Sequence, residues 1–278
     1  MKIVILGSGG MLGKALIRRF SRESKFEVLG LDHEQLDITD RDQVFSLLSD
    51  LHPEIIFNAA AYTAVDDAQK NRDTAFDVNA RAVEYIADFC SAQGVKLVHF
   101  STDYVFDGEK EHGYEESDTP GKPLNVYGTS KLEGEEALKG QFYLIRTSWL
   151  FGLEGKNFVK TMLQLAETKP ELSIVNDQIG NPTFVEDLAD ATFRLVTESH
   201  EPGIYHLVNE GSVSWYEFAK EIFELSSGKK PALHPVSSGE FPRPAARPHI
   251  SILKNTKFPK LRGHKEALQE YLKSEVQS

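Results

Sequence analysis

Cysteine occurs once in the 278 residues, at Cys90, so no intrachain disulfide can form and no cysteine cluster can hold a zinc ion. Cys90 lies among Ala87, Phe89 and Ala92 in a helical pattern, where a small packed core residue is expected rather than a nucleophile. No dense lysine or arginine run offsets the formal net charge of −11, which argues against a nucleic-acid or anionic-membrane partner. No apolar stretch reaches the length of a membrane span. The opening Met1-Lys2-Ile3-Val4-Ile5-Leu6 is interrupted by Gly7-Ser8-Gly9-Gly10 and Lys14 before any cleavage-like site, so a cytoplasmic enzyme is the expected class. Internal repeats, low-complexity tracts and compact carboxylate clusters for a metal are missing as well.

What remains is an ordinary globular composition, 40% hydrophobic and 26% charged, long enough to bury a sizeable core. Short β-branched runs at Lys2–Gly7, Glu27–Asp32, Glu54–Ala60, Lys96–Thr102 and Phe142–Ser148 predict strands. Helical patterns lie between them at Met11–Phe20, Arg41–Leu51, Asp66–Gln93 and Asn125–Leu138, the third long enough that Asn71-Arg72-Asp73 marks a possible break. This alternation predicts an α/β fold, a doubly wound (Rossmann) parallel sheet with a smaller, mostly C-terminal α/β substrate domain. The expected division is 1–150 for the dinucleotide-binding domain, with 183–210 returning to it, and 151–182 plus 211–278 for the substrate domain.

Later elements are weaker: helices at Asn157–Thr168, Phe184–Thr197 and Ser214–Leu225, and extended runs at Leu172–Val175 and Gly203–Val208. Thr183-Phe184-Val185-Glu186 has capping-box spacing and is expected to start a helix. Phe241-Pro-Arg-Pro-Ala-Ala-Arg-Pro248 is too proline-rich for a helix or a central strand.

Gly7-Ser-Gly-Gly-Met-Leu-Gly13 follows the first strand and opens the first helix. Leu12 breaks the Gly-x-Gly-x-x-Gly spacing read from Gly7, and the better match runs through Gly7, Gly10 and Gly13. Glycines there let the backbone turn tightly and approach a pyrophosphate, while the helix N-terminus presents free N–H groups. Asp32 ends the second strand, placed to bond the adenosine ribose hydroxyls and so to favour NAD, whereas His33 beside it is suited to a 2′-phosphate. The expected cofactor is therefore NADPH or NADH. Asp37 and Ile38 lie where an adenine edge would be met, and Asn58-Ala-Ala-Ala61 ends the third strand with small residues.

Tyr127 and Lys131 are four residues apart, about one helical turn, so phenol and ammonium project from one face. A tyrosine titrates near 10 in water, and a fixed cation beside it is expected to lower that value, with a cationic cofactor ring adding to the effect. Spacing alone does not single out this pair, because Tyr216 and Lys220 repeat it in a helix where Tyr216 can simply pack.

The glycine motif, Ser101-Thr102 at the end of the fourth strand and Tyr127-x-x-x-Lys131 on the next helix together resemble the extended short-chain dehydrogenase/reductase family. Within it, the chain is similar to the dTDP-4-dehydrorhamnose reductases. The wording that carries this is Asn58-Ala-Ala-Ala-Tyr-Thr-Ala-Val-Asp66, Ser101-Thr-Asp-Tyr-Val-Phe-Asp-Gly108, Pro123-Leu-Asn-Val-Tyr-Gly128, Arg146-Thr-Ser-Trp149, Asn176-Asp-Gln-Ile-Gly-Asn-Pro-Thr183 and Arg247-Pro-His-Ile-Ser-Ile-Leu253.

The resemblance implies an NAD(P)-dependent oxidoreductase of polysaccharide-precursor synthesis that reduces the 4-keto group of dTDP-4-dehydro-L-rhamnose. It gives Tyr127 the proton, Lys131 the nicotinamide ribose, and Thr102 a bond to the carbonyl oxygen. By the same similarity Gly10, Met11, Leu12, Asp32, Asp37, Ile38, Ala61, Tyr62 and Thr63 line the cofactor, and Asp103 and Trp149 meet the substrate. Core packing for Trp149 and a loop cap for Asp103 stand beside those roles. Arg247 suits either the substrate diphosphate or a structural salt bridge.

The implied partner is a small nucleotide sugar, and a homodimer is compatible with the family. Its magnesium-linked form does not carry over, because Ala15 stands where some relatives have glutamate. Two other readings share the fold: a nucleotide-sugar dehydratase or epimerase, which for dehydration needs an acid pair where Asp103 is followed by Tyr104, and a non-catalytic regulatory subunit.

Overall fold

The computed structural model describes residues 1–198 and 200–276. Strands β1 (Lys2–Leu6), β2 (Glu27–Leu31), β3 (Ile55–Asn58), β4 (Lys96–Thr102) and β5 (Phe142–Thr147) alternate with α1 (Met11–Phe20), α2 (Arg41–Leu51), α3 (Val65–Ala68), α4 (Arg72–Phe76), α5 (Ala82–Gln93) and α6 (Val126–Glu136). Then follow β6 (Leu150–Phe151), α7 (Phe158–Thr168), β7 (Glu171–Val175), β8 (Ile179–Gly180), β9 (Thr183–Phe184) and α8 (Val185–Thr197). The described chain ends with β10 (Gly203–His206), β11 (Val213–Ser214), α9 (Trp215–Leu225), β12 (Ala232–Val236) and α10 (His264–Val276).

The main sheet has the order β10-β5-β4-β3-β1-β2, and every pairing in it is parallel. Strand alternation sends Ile3, Ile5, Phe57, Val98 and Ile145 to one face, against Leu16 and Phe20 of α1 and Leu188 and Phe193 of α8. Val4, Leu6, Ile56, Leu97 and Leu144 go to the other, against Val44 and Leu48 of α2 and Ile86 and Phe89 of α5. Each fully buried side chain of this size stabilises by about 1.5–3 kcal/mol, which is why both faces must be covered. The chain leaves β1 first toward β2 and then crosses to β3 on the opposite side. The crevice beyond the carboxyl ends of β1 and β3 is therefore the topological switch point, where α/β sheets bind ligands.

A third core joins α7, α9 and α10 to the parallel β7–β12 pair, with Val159, Met162, Phe218, Ile222, Leu268 and Tyr271 inside it. Cys90 is packed in α5, and burial pushes its thiol up to about 12, far from a reactive range.

The break expected near Asn71 in the Asp66–Gln93 segment forms at Gln69–Asn71, and the segment runs as α3, α4, a π-helical turn at Asp77–Arg81 and α5. Two local expectations need correction. The capping box at Thr183–Glu186 does not form. Phe184 takes the N-cap position with its N–H on Asn209 Oδ1, the Thr183 hydroxyl bonds Asn181 O, and the Glu186 carboxylate is drawn off by Arg18 of α1. Tertiary partners offered each of these groups more than the local motif did. The stretch after Leu225 is also more regular than its sequence suggested, since β12 and α10 are absent from the expectation. Among the described side chains of α10, His264, Ala267, Leu268, Tyr271 and Leu272 form a narrow buried stripe in a helix otherwise rich in charge.

Candidate active site

The glycine turn is shaped by backbone contact. Gly7 has φ +77°, and a Cβ on it would lie 2.6 Å from Ala60 N; a Cβ on Gly13 would lie 2.2 Å from Gly7 O. The turn is pinned by Gly7 and Ser8 N–H bonds to Leu31 O and a Gly10 N–H bond to Gly7 O, and Gly10 then caps α1. The first-turn N–H groups of Met11, Leu12 and Gly13 have no carbonyl four residues back and face the crevice end of the helix. This cradle fits a pyrophosphate that approaches main chain directly. Gly13→Ala is expected to force the turn open, costing about 1–3 kcal/mol of stability, as overpacking does. It should weaken dinucleotide binding about tenfold or more. Thermal melts with calorimetric NADPH titration measure both effects, and wild-type affinity in the variant would show that the turn is not the cradle.

Asp32 reaches the same crevice, its Cβ 3.9 Å from the position a Gly9 Cβ would take, while its Oδ1 accepts from the Glu34 and Gln35 N–H groups. Asp37 Oδ1 caps the turn before α2 through the Thr39 N–H and hydroxyl, and Ile38 is buried beside it. The Ala61-Tyr62-Thr63 loop is held by Asn79. Its Oδ1 accepts the Tyr62 N–H at 2.8 Å, while its Nδ2 donates to Tyr62 O at 3.1 Å and Ser130 Oγ at 3.0 Å. Asn79 sits in the π-helical turn, and the extra residue of that turn aims it between the loop and α6. Sequence reading missed it, although Asn79 shares helical spacing with the apolar Ala75, Ala82, Val83 and Ile86, and that was the available signal.

Asn125 caps α6 by accepting from the Gly128 N–H, which starts the helix one residue before Tyr127. The Thr102 hydroxyl at the end of β4 donates to Asp103 Oδ1 at 2.8 Å and lies near enough to the Tyr127 phenol to favour its ionised form. Thr102, Asp103 and Tyr127 thus converge at the end of β4. Lys131 runs beneath them, with Nζ donating to Phe100 O at 2.7 Å and facing His99 Nε2 at 3.3 Å. The other spaced pair does not join them. Tyr216 packs on the third core, and Lys220 pairs with Glu217.

The expected lowering of the phenol by lysine is corrected. Burial pushes the Tyr127 phenol up to about 12, with Thr102 pulling it down and the Asp103 charge adding to the rise. Lys131, one turn further along α6, has its Nζ directed to Phe100 O of β4. Burial pushes Lys131 down to about 8 against the pull of Glu135. Asp103 is 2% exposed, and burial pushes it up to about 6 although the nearby Ser251 and the bond from Thr102 act to lower it. Among the described residues its Oδ2 is buried without a hydrogen-bond partner.

Trp149 has φ 48°, a left-handed conformation that bulky residues seldom adopt, and is held there by stacking on Trp215 at 3.5 Å and 5°. Beyond it opens a cavity of about 710 Å³ walled by Tyr104, Phe158, Leu172, Ile174, Trp215, Arg243 and Arg247, large enough for a drug-sized ligand. Of the two roles open to Arg247, the ion pair forms, bidentate to Asp66 at 2.8 and 2.9 Å, and the same residue remains part of the cavity wall. Arg243, which sequence reading left in an irregular segment, joins that wall. Among the described residues no helix is long and apolar enough to cross a membrane, and no cluster of His, Cys, Asp and Glu could hold a metal ion.

Comparison with known proteins identifies the family. A dTDP-4-dehydrorhamnose reductase of Aggregatibacter actinomycetemcomitans is 42% identical over 270 residues, covering 92% of each chain. The spore coat polysaccharide biosynthesis protein SpsK of Bacillus subtilis is 41% identical over 278 residues, covering 98% of this chain and 96% of that one. The crystal structure of dTDP-4-dehydrorhamnose reductase from Bacillus anthracis in complex with NADP superposes with a TM-score of 0.93 at 40% identity, covering 98% of this chain and 99% of that one. The model of the RmlD substrate binding domain matches residues 1–277, and the chain belongs to that family.

Proposed function

We propose that this chain reduces the 4-keto group of dTDP-4-dehydro-L-rhamnose to give dTDP-L-rhamnose, using NADPH or NADH. The observation that carries the reading is the convergence of Thr102, Tyr127 and Lys131 at the carboxyl end of β4, in the sheet whose β1–α1 turn is the glycine cradle. The relatives' names supply the substrate class.

The Gly7–Gly13 turn and the start of α1 would hold the cofactor pyrophosphate, Asp32 a ribose, and Asp37, Ile38 and the Ala61–Thr63 loop the adenine side. When bound, the reduced nicotinamide supplies a hydride. Tyr127 donates its proton to the oxygen at C4 as that oxygen becomes an alkoxide. A phenol held near 12 remains a far stronger acid than the product alcohol, so raising it does not prevent the transfer. Thr102 orients the same oxygen, and Lys131 lies under the phenol. Asp103, Trp149 and Arg247 are proposed to meet the sugar nucleotide, with the 710 Å³ cavity taking the nucleotide.

The division of labour we propose gives 1–150 and 183–210 to the cofactor, since α8 packs on α1 and β10 extends the main sheet, and gives 151–182 with 211–278 to the substrate. A cytoplasmic homodimer belongs to the same proposal, and light scattering tests the dimer. Against a dehydratase stands Tyr104, a phenol under the influence of the Arg247 charge, where an acidic side chain would be needed.

Purified protein mixed with dTDP-4-dehydro-β-L-rhamnose and each reduced nicotinamide should consume one cofactor per sugar and yield dTDP-L-rhamnose by NMR. Turnover of a nucleotide sugar without net cofactor oxidation would instead mark a dehydratase or epimerase. Absence of all turnover, with a transferase co-purifying, would mark a regulatory subunit.

A further inference from the structure

Asn58 and His99 have none of the roles described above, yet they are buried behind Lys131, at 1% and 0% exposed. Their hydrogen bonds fix one another. The Ala60 N–H donates to Asn58 Oδ1 at 3.2 Å, so the carboxamide turns its Nδ2 to His99 Nδ1, also at 3.2 Å. Nδ2 only donates, so Nδ1 accepts, and the single proton of a neutral imidazole sits on Nε2. Burial and the Lys131 charge hold His99 well below its ordinary value, which keeps the ring neutral. Nε2 in turn faces Lys131 Nζ at 3.3 Å, while Nζ donates to Phe100 O at 2.7 Å.

An amine satisfies both contacts, accepting from Nε2–H through its lone pair and donating to the carbonyl. An ammonium has no lone pair and sets donor against donor. Turning the Asn58 carboxamide over removes that conflict only by creating another, between its NH₂ and the Ala60 N–H. Other groups around Lys131 are Tyr127 and Glu135, one turn away on either side in α6. Arg146 of β5 is bound to Glu135 at 2.6 Å, and Asp103 at the end of β4 acts on Tyr127. Glu135 favours the ammonium but shares its carboxylate with Arg146.

We propose that His99, fixed by Asn58 as its Nε2–H tautomer, is a positioning residue that keeps Lys131 exchanging between ammonium and amine in the neutral range and so sets the pH above which reduction fails. This rests on Tyr127 and Lys131 being the working pair. As Tyr127 protonates the substrate oxygen, the phenol O–H bond breaks, the alcohol O–H bond forms, and a phenolate is left. The ammonium form of Lys131 favours that phenolate and the amine does not. Burial already brings Lys131 down to about 8, so the alkaline fall in activity is expected there.

Two measurements test the proposal. In the cofactor-free wild-type protein, long-range proton–nitrogen NMR should show the His99 proton on Nε2; a proton on Nδ1 overturns the proposal whether or not any variant folds. The titration of Lys131 is then followed through ¹³Cε of labelled lysine, assigned with Lys131→Arg, beside the pH profile of kcat/KM. His99→Gln places a carbonyl that can accept from the ammonium, so the titration and the alkaline limb should both move up by about one pH unit or more, tenfold in proton affinity. His99→Leu should give no upward movement. A fall in kcat with both titrations unmoved in His99→Gln would mean that His99 only packs, and the proposal fails. A shifted lysine titration in a protein that never reduces the keto sugar would leave this inference standing and remove the reading on which its catalytic meaning rests.

Discussion

Tyr127→Phe is expected to lower turnover at least about a hundredfold, the ordinary scale of positioned proton transfer, while leaving NADPH affinity within about twofold. The variant keeps the ring, its edge contact with Tyr104 at 5.8 Å and the helix cap at Asn125, and loses only the hydroxyl that reaches Thr102. What disappears is the group proposed as the acid that meets the developing alkoxide. Stopped-flow and steady-state assays with the keto sugar give the turnover, and quenching of protein fluorescence gives the cofactor affinity. Tyr216→Phe supplies the contrast, since that phenol packs on the third core, away from the β4 end, and its loss should leave the rate within about twofold. Full activity in Tyr127→Phe, or a comparable loss in Tyr216→Phe, would mean that the wrong pair carries the chemistry.

Glu135→Leu should be the most damaging single change to stability, at about 3–5 kcal/mol, because it leaves a buried guanidinium without its carboxylate. Arg146 lies in β5 and makes three bonds to Glu135, at 3.1, 3.2 and 2.6 Å; the two side chains are 2% and 5% exposed. A loss of that size corresponds to about 6–20 °C in melting temperature for a chain of this length. Glu135→Leu combined with Arg146→Met should recover most of it, since a well-packed apolar pair removes the desolvation cost of both ions. A single-variant loss below about 1 kcal/mol would show that water reaches the pair.

The same network gives a pH dependence. Burial acts to raise Glu116, but bonds from the Thr256 hydroxyl and N–H and the charge of His206 outweigh it and hold the carboxyl below its ordinary value. A carboxyl depressed in the folded state stabilises fully above its unfolded value, about 4.3, and loses that contribution as pH falls through the folded value. Glu116→Gln should therefore flatten the acid limb of stability measured in denaturant melts.

Much of the sheet was legible because local chemistry and tertiary demand agree there. β4 matched its expected ends, α1 and α2 matched theirs, and the remaining early strands differ only at their ends, because β-branched runs bounded by polar residues have few other outcomes. The glycine turn was legible for the same reason, since only glycine fits where backbone meets backbone. Legibility failed where a side chain had a stronger distant partner, as with Glu186, taken by Arg18, and with Lys131, turned to Phe100 and His99 rather than to Tyr127. It also failed for α10, whose buried stripe is too narrow to stand out among its charges.

By itself the sequence determined the parallel alternating fold and the glycine turn from Gly7 to Gly13, and it singled out Thr102, Tyr127 and Lys131 as the candidate site. Those are properties of short segments and their spacing. Spacing did not separate the two Tyr/Lys pairs and the family wording selected Tyr127 and Lys131, but how those side chains lie at the end of β4 was decided only by tertiary structure. So were the pairing of Arg247 with Asp66, the depth that raises Tyr127 and Asp103, and the Asn58–His99 support beneath Lys131. Burial and donor–acceptor matching depend on groups brought together from distant parts of the chain, and no spacing in one segment records them.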